Sequence, residues 1–274
     1  MDEQKRVLYV SSEIFPYLPE TDLSKVGRYL PQGIQESGKE IRAFMPRYGL
    51  INERRNQLHE VIRLSGMNLV INDCDRPLVI KVSSISSARM QVYFIDNEDY
   101  FHRKALYADA EGKFFADNDE RAIFFARGVL ETVKKLRWKP DIVHCQGWIS
   151  HFRPVFLKTV YQKDPIFSDT KVVLSLYDDL KDASFGSKLP AVLEKEGISS
   201  DDAAMMSDGD GIKLAELAIR YADGLVYGVP SVDEAIEKAV KESSAMTMPY
   251  APVSLEDNGY VKMYNDFYDK ILER

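Results

Sequence analysis

Apolar positions along the chain recur with two different periods, and the order in which those periods alternate predicts the fold class. Arg6–Ser11 (RVLYVS) is a short apolar run with β-branched residues, the pattern of a strand covered on both faces of a parallel sheet. Leu23, Val26, Leu30 and Ile34 then follow at helical spacing and predict a helix over residues 23–37. Gly38 stands where a helix end favours a left-handed residue. Residues 41–45 (IRAFM) read as a second strand, and a right-handed crossover is the common way to join such a pair.

The middle of the chain changes period. Residues 58–64, 67–72, 77–83 and 90–95 are short, β-rich and separated by Gly, Asn, Asp and Ser, which predicts an antiparallel ribbon inserted into an α/β domain. Asn118–Leu136 is amphipathic, with acids first and bases last to suit the helix dipole. Pro140 ends it. Strands are then predicted at 141–145, 171–175 and 224–228, and helices at 151–161, 211–221 and 231–241. The alternation is that of the α/β class, a doubly wound, mostly parallel, Rossmann-like sheet. The expected organisation is one domain over residues 1–242, a linker over 243–259 with Pro249 and Pro252, and a docking helix over 260–274. In that helix Tyr260, Met263, Tyr264, Phe267, Tyr268 and Ile271 recur at helical spacing, the stripe of a helix packing back on the body.

Composition narrows the function classes. In 274 residues, 36 basic side chains against 43 acidic ones leave a net charge of −7, which argues against nucleic-acid backbone binding. No apolar run approaches the roughly 20 residues of a membrane span, and the opening MDEQKRVLYV passes from charge straight into a strand without a signal-peptide core. Cys74 and Cys145 lack metal spacing and make no disulfide framework, so a cytoplasmic protein is expected. No P-loop, G-x-G-x-x-G, HExxH or G-x-S-x-G element is present. The run SDGDGIK lacks the ligand spacing of a calcium loop and reads as a turn entering a helix. His144 falls at the C-terminal end of a predicted parallel strand, the edge where open α/β sheets hold ligands; it reads either as a hydrogen-bonded core residue or as a site residue. Asp117 and Asn118 precede a helix, where capping alone would explain them.

Five stretches taken together go further: VLYVSSEIFPYL (7–18), RAFMPRYGLI (42–51), VYFIDNEDYF (92–101), LYADAEGKFFADNDERAIFFARGVLE (106–131) and WKPDIVHCQGW (138–148). In order and register the chain resembles bacterial glycogen and starch synthases over roughly residues 5–240, in particular their N-terminal catalytic region. The resemblance implies half of a GT-B glycosyltransferase, in which two Rossmann-like domains flank a cleft. It implies retaining transfer of glucose from ADP-glucose to an α-1,4-glucan with no metal and no cofactor, the diphosphate being neutralised by basic side chains and backbone N–H groups. Glu13, Tyr107, Asp117, Asn118 and Trp148 match cleft-side residues of the family, and His144 is the match for contacts to the transferred sugar.

The departures from the family are as informative. Its Lys-x-Gly-Gly loop, which brings backbone amides, a helix N-terminus and a lysine to the diphosphate, is replaced in register by Pro19, Glu20, Thr21 and Asp22. Two like charges about 4 Å apart repel by on the order of 4 kcal/mol at an effective dielectric near 20. Lys25, six residues beyond the lost lysine, is a candidate shifted substitute, although it lies inside the helix pattern. The family's His-x-His-Asp-Trp-His strand end appears as His144, Cys145, Gln146, Gly147, Trp148 and Ile149, and its Ile-His-Asn turn as Tyr177, Asp178 and Asp179. Three readings follow: a catalytically impaired pseudoenzyme of glycogen biosynthesis that binds an α-glucan, a small sugar or a protein partner, an acceptor-side subunit completed by a separate donor-domain chain, or a structural or regulatory homo-oligomer. Binding of ADP-glucose is not expected of the first or third.

Overall fold

The computed structural model describes residues 4–274, so the first three residues of the expected 1–242 domain lie outside it. Its strands are β1 (Arg6–Ser11), β2 (Glu40–Pro46), β3 (His59–Glu60), β4 (Met67–Ile71), β5 (Cys74–Ile85), β6 (Met90–Asp96), β7 (Ile142–Gln146), β8 (Lys171–Leu176), β9 (Gly224–Tyr227) and β10 (Met246–Met248). The helices are α1 (Asp22–Glu36), α2 (Glu98–Phe101), α3 (Asn118–Leu136), α4 (Phe152–Lys158), α5 (Leu189–Lys195), α6 (Ser200–Ala204), α7 (Gly211–Arg220), α8 (Glu234–Glu242) and α9 (Gly259–Leu272).

The sheet runs β10-β9-β8-β7-β1-β2-β6-β5-β3, with β4 paired to β5 outside that path. From β10 to β6 every pairing is parallel. Val7 to Val10 have no exposed surface, as a central strand with helices over both faces requires. The expected α/β class, doubly wound and mostly parallel, is what the chain adopts. The strand at 90–96 differs from expectation: it is not confined to the ribbon but pairs in parallel with β2, Ala43 opposite Val92, and antiparallel with β5 on its other edge. All but one of its residues are buried, so its continuous apolar pattern belongs to a sheet interior. The ribbon proper is β5 with β3 and β4, and residues 58–64 contribute only the two-residue β3, leaving Ile62 76% exposed. The segment 243–259, expected to be wholly linker, contains β10, which extends the sheet beside β9.

Connections set the site. From β1 the chain passes through α1 to β2 and on to β6; it then returns through α3 to β7 on the opposite side of β1. Strand order therefore reverses between β1 and β7, and the crevice at the C-terminal ends of these two strands is where ligands bind in open α/β sheets.

Helix α9 lies against α1 and crosses the middle of the sheet. Val261 sits where a Cβ on Gly33 of α1 would fall, 2.4 Å from its methyl carbon, so only glycine permits so close an approach. Tyr260, Val261, Tyr264, Phe267, Tyr268 and Ile271 are buried, and Lys39 ties the outer turns by bonding Asn265 at 2.7 Å and pairing with Asp269 at 2.8 Å.

Candidate functional site

The loop after β1 folds back to start α1, and its polar groups are spent on one another. Thr21 caps the helix: its Oγ1 accepts from Ser24 N at 3.0 Å, while Ser24 Oγ accepts from Thr21 N at 2.8 Å, a reciprocal capping box. The same Thr21 hydroxyl donates to Glu13 Oε2 at 2.9 Å. Lys25 is drawn to Asp22 at 3.0 Å and Glu20 at 3.9 Å. The helix N-terminus thus ends in a side-chain cap and three carboxylates, and Lys25 is paired with two of them. Burial raises the Glu13 carboxyl above its ordinary range, partly opposed by the Thr21 bond.

Beside it, β7 ends at Gln146, and Gly147 turns with φ +79. A Cβ there would lie 2.0 Å from Ser12 Oγ, so both the left-handed backbone and the tight contact with the β1 loop demand glycine. Trp148 follows, 2% exposed, with Tyr107 and Phe114 edge-on to its ring at 6.0 Å each. Above β8, the Asp179 carboxyl is pushed up to about 7 by burial, opposed by the Trp148 backbone N–H and reinforced by Glu13 and Asp178. Its Oδ1 is sealed and has no partner. The mouth of the crevice therefore brings together Glu13, Thr21, Trp148 and Asp179.

Asp179 carries a pH consequence with a definite sign. Its folded value of about 7 stands above the ordinary 3.8, so the folded state keeps a proton that the unfolded chain releases. That contribution is complete below about pH 4 and is lost as pH rises to about 7, with a slope of on the order of 1 kcal/mol per pH unit. Over that window the stability of the wild type should fall relative to Asp179→Asn when both are unfolded in urea. Parallel curves would assign the titration elsewhere.

The other sequence-derived residues are placed differently. Asn118 is fully buried; its Nδ2 donates to Tyr107 O at 2.7 Å and its Oδ1 accepts from Arg121 at 2.5 Å. Asp117 receives a bidentate pair from Arg103 at 2.6 and 2.5 Å. Both hold the 102–117 segment, with half-buried Tyr107, onto α3. Pro19, Glu20, Thr21 and Asp22 lie on the open surface.

His144, expected to touch a transferred sugar, has no exposed surface. Its Nδ1 shares a hydrogen bond with the Tyr268 hydroxyl at 2.6 Å and its Nε2 with Ser175 Oγ at 2.7 Å, while Tyr9 and Tyr268 hydroxyls meet at 3.2 Å. Burial lowers the imidazole to about 3, so it is neutral. Of the two roles left open by sequence, this geometry is that of the hydrogen-bonded core residue. It lies two residues back from the strand end, where α9 covers it, rather than at the mouth.

The sequence reading missed Arg121 altogether and named Asp179 only as a departure from the family's turn, without its burial. Arg121 is fully buried and has no carboxylate partner; it donates to Tyr100 O at 2.7 Å, Leu106 O at 2.8 Å and Asn118 Oδ1, and lies over the rings of Phe101, Phe115 and Trp148. Burial brings its guanidinium down to about 10. The signal was available, since an arginine three residues after Asn118 falls on the apolar face of α3. Asp179 carried no such signal, because its burial depends on the contact between the β7 and β8 loops.

Comparisons with known proteins agree with this architecture. A family model of the starch synthase catalytic domain matches residues 6–240. The glycogen synthase of Chlorobium limicola is 38% identical over 219 residues, covering 80% of this chain and 44% of that protein. That of Chlorobaculum parvum is 34% identical over 242 residues, covering 88% and 49%. The chain thus spans about half the length of these curated relatives. Among solved structures, the catalytic domain of starch synthase IV from Arabidopsis thaliana, bound to ADP and acarbose, superposes with a TM-score of 0.75 at 16% identity, over 93% of this chain and 53% of that one. Together with the parallel sheet and its switch point, these matches place the chain in the starch synthase catalytic-domain family of GT-B glycosyltransferases.

Proposed function

We propose that this chain binds an α-1,4-glucan or a shorter saccharide at the β1/β7 switch point and does not by itself transfer glucose from ADP-glucose. The observation that carries the reading is the closed start of α1. Where the family has a lysine and two glycines, Thr21 occupies the helix cap, Glu13 receives the Thr21 hydroxyl, and Lys25 is held by Asp22 and Glu20. An arriving diphosphate meets carboxylates and a filled cap, in place of a lysine and free backbone donors. The same carboxylates suit hydroxyl groups, which donate to them.

Titration calorimetry tests this. ADP-glucose should give no binding heat with the wild type, while the triple variant Pro19→Lys, Thr21→Gly, Asp22→Gly should recover measurable affinity for ADP. Maltotriose should change the tryptophan emission through Trp148, because Trp138 precedes β7 and lies at the opposite edge of the sheet. A micromolar dissociation constant for ADP-glucose on the wild type overturns the reading.

A second reading is that a separate chain supplies the donor-binding half of the cleft. Transfer of label from radiolabelled ADP-glucose to glycogen only when cell extract is added supports that second reading.

A further inference from the structure

Twelve buried side-chain polar atoms among the described residues lack a hydrogen-bond partner, and seven of them belong to six residues at the C-terminal end of the sheet. They are Ser12 Oγ, Tyr48 OH, Gln146 Oε1 and Nε2, Trp148 Nε1, Tyr177 OH and Asp179 Oδ1; the Tyr48 and Trp148 side chains lie within reach of one another, which leaves the groups of Ser12, Gln146, Tyr177 and Asp179. Folded proteins leave few such atoms, and unmade bonds in a low dielectric are costly. A concentration at the switch point therefore marks groups whose partners come from outside the chain.

Ser12, Gln146, Trp148 and Asp179 are neighbours at the ends of β1, β7 and β8. Ser12 N donates to Gln146 O at 2.9 Å, joining the β1 and β7 ends. Ser12 Oγ abuts Gly147, and the Trp148 backbone N–H supports the Asp179 carboxyl. Gln146 is fully buried and Ser12 and Trp148 are each 2% exposed.

Their chemistry selects among ligands. Gln146 Nε2 only donates, Asp179 Oδ1 (when ionised) and Gln146 Oε1 only accept, and the Ser12 and Tyr177 hydroxyls do both. A metal ion requires acceptors alone, and no group of three or more His, Cys, Asp or Glu suited to a metal exists among the described residues. A phosphate requires donors and would face Asp179 and Glu13. A sugar hydroxyl donates and accepts at once, so it matches the mixed set.

We propose that Asp179 is the specificity-determining residue of this site: its unpartnered oxygen accepts a hydroxyl hydrogen from an uncharged saccharide and rejects the phosphorylated form of the same sugar. Gln146 completes the hydroxyl's bonds from the β7 side. The assignment rests on the saccharide-binding reading above and adds the residue that enforces it. Because the seven atoms have no open surface, the loops after β7 and β8 must part to admit the ring.

The test titrates wild type, Asp179→Ala and Asp179→Asn with maltotriose and with glucose 1-phosphate, at a pH well above the value of about 7 at which Asp179 loses its proton, by calorimetry and tryptophan emission, on proteins whose melting confirms folding. The wild type should bind maltotriose and not glucose 1-phosphate. Asp179→Ala should weaken maltotriose by at least about tenfold, the loss of one hydrogen bond to a charged group. Asp179→Asn, which keeps the shape without the charge, should admit glucose 1-phosphate, and this gain remains readable if the alanine variant fails to fold. Maltotriose affinity within about twofold of wild type in Asp179→Ala, or continued exclusion of glucose 1-phosphate by Asp179→Asn, overturns the assignment while leaving the saccharide reading intact. A wild type that binds neither sugar removes both.

Discussion

A chain ended at residue 255, before α9, is expected to lose most of its stability and to accumulate poorly. The helix buries Tyr260, Val261, Tyr264, Phe267, Tyr268 and Ile271. At ~1.5–3 kcal/mol for each large apolar side chain, their removal from the body amounts to roughly 10 kcal/mol, as large as the whole stability of an ordinary domain. The loss is also polar. Without the Tyr268 hydroxyl, His144 keeps only Ser175, and Tyr9 is left with an unpaired hydroxyl beneath a newly opened face. Thermal melting of the two chains settles the matter, and an unchanged midpoint would show that the stripe rests on the surface without holding it. Tyr268→Phe isolates the polar part, with an expected loss of about 1–2 kcal/mol.

Arg121→Met should be the most damaging single substitution near the site. Methionine fills much of the volume but abandons Tyr100 O, Leu106 O and Asn118 Oδ1, three acceptors now satisfied by one guanidinium. Each buried acceptor left alone costs about 1–3 kcal/mol. Release from the desolvation penalty of the cation offsets part of this. A net loss of about 3–5 kcal/mol is expected in urea unfolding. Because two of the acceptors flank the 102–117 segment, amide hydrogen exchange there should speed up far more than in β1 or β7. A loss below about 1 kcal/mol, with exchange unaltered, would mean that Asn118 alone fastens Tyr107.

The distribution of what could be read from sequence follows the physics of each signal. Strands such as β1 and helices such as α3 announce themselves because burial imposes a period on neighbouring positions, and α3 begins and ends where its charges said it would. The strand 90–96 was recognised as a strand and given too narrow a partner set: periodicity reveals burial on both faces but not the direction of a neighbour. The three-residue β10 is too short to carry a period at all. At the site, the changed loop 19–22 was legible because it is local, and its cap is made by residues three apart. The role of His144 was not, since the Tyr268 hydroxyl that claims it lies 124 positions away. Asp179 likewise owes its raised value to burial between loops distant in sequence, reinforced by Glu13 and opposed by the Trp148 backbone N–H. Family likeness named candidate cleft residues but not which of them are already engaged within the chain.

The bond between Tyr9 and Tyr268 spans 259 positions. During synthesis at about 5–20 residues per second, the first strand of the sheet waits on the order of 10–50 s for the segment that covers it. Over that interval its hydroxyl and the apolar centre of the molecule stand open on the ribosome, so chaperone occupancy of nascent chains should be concentrated there and end when α9 emerges.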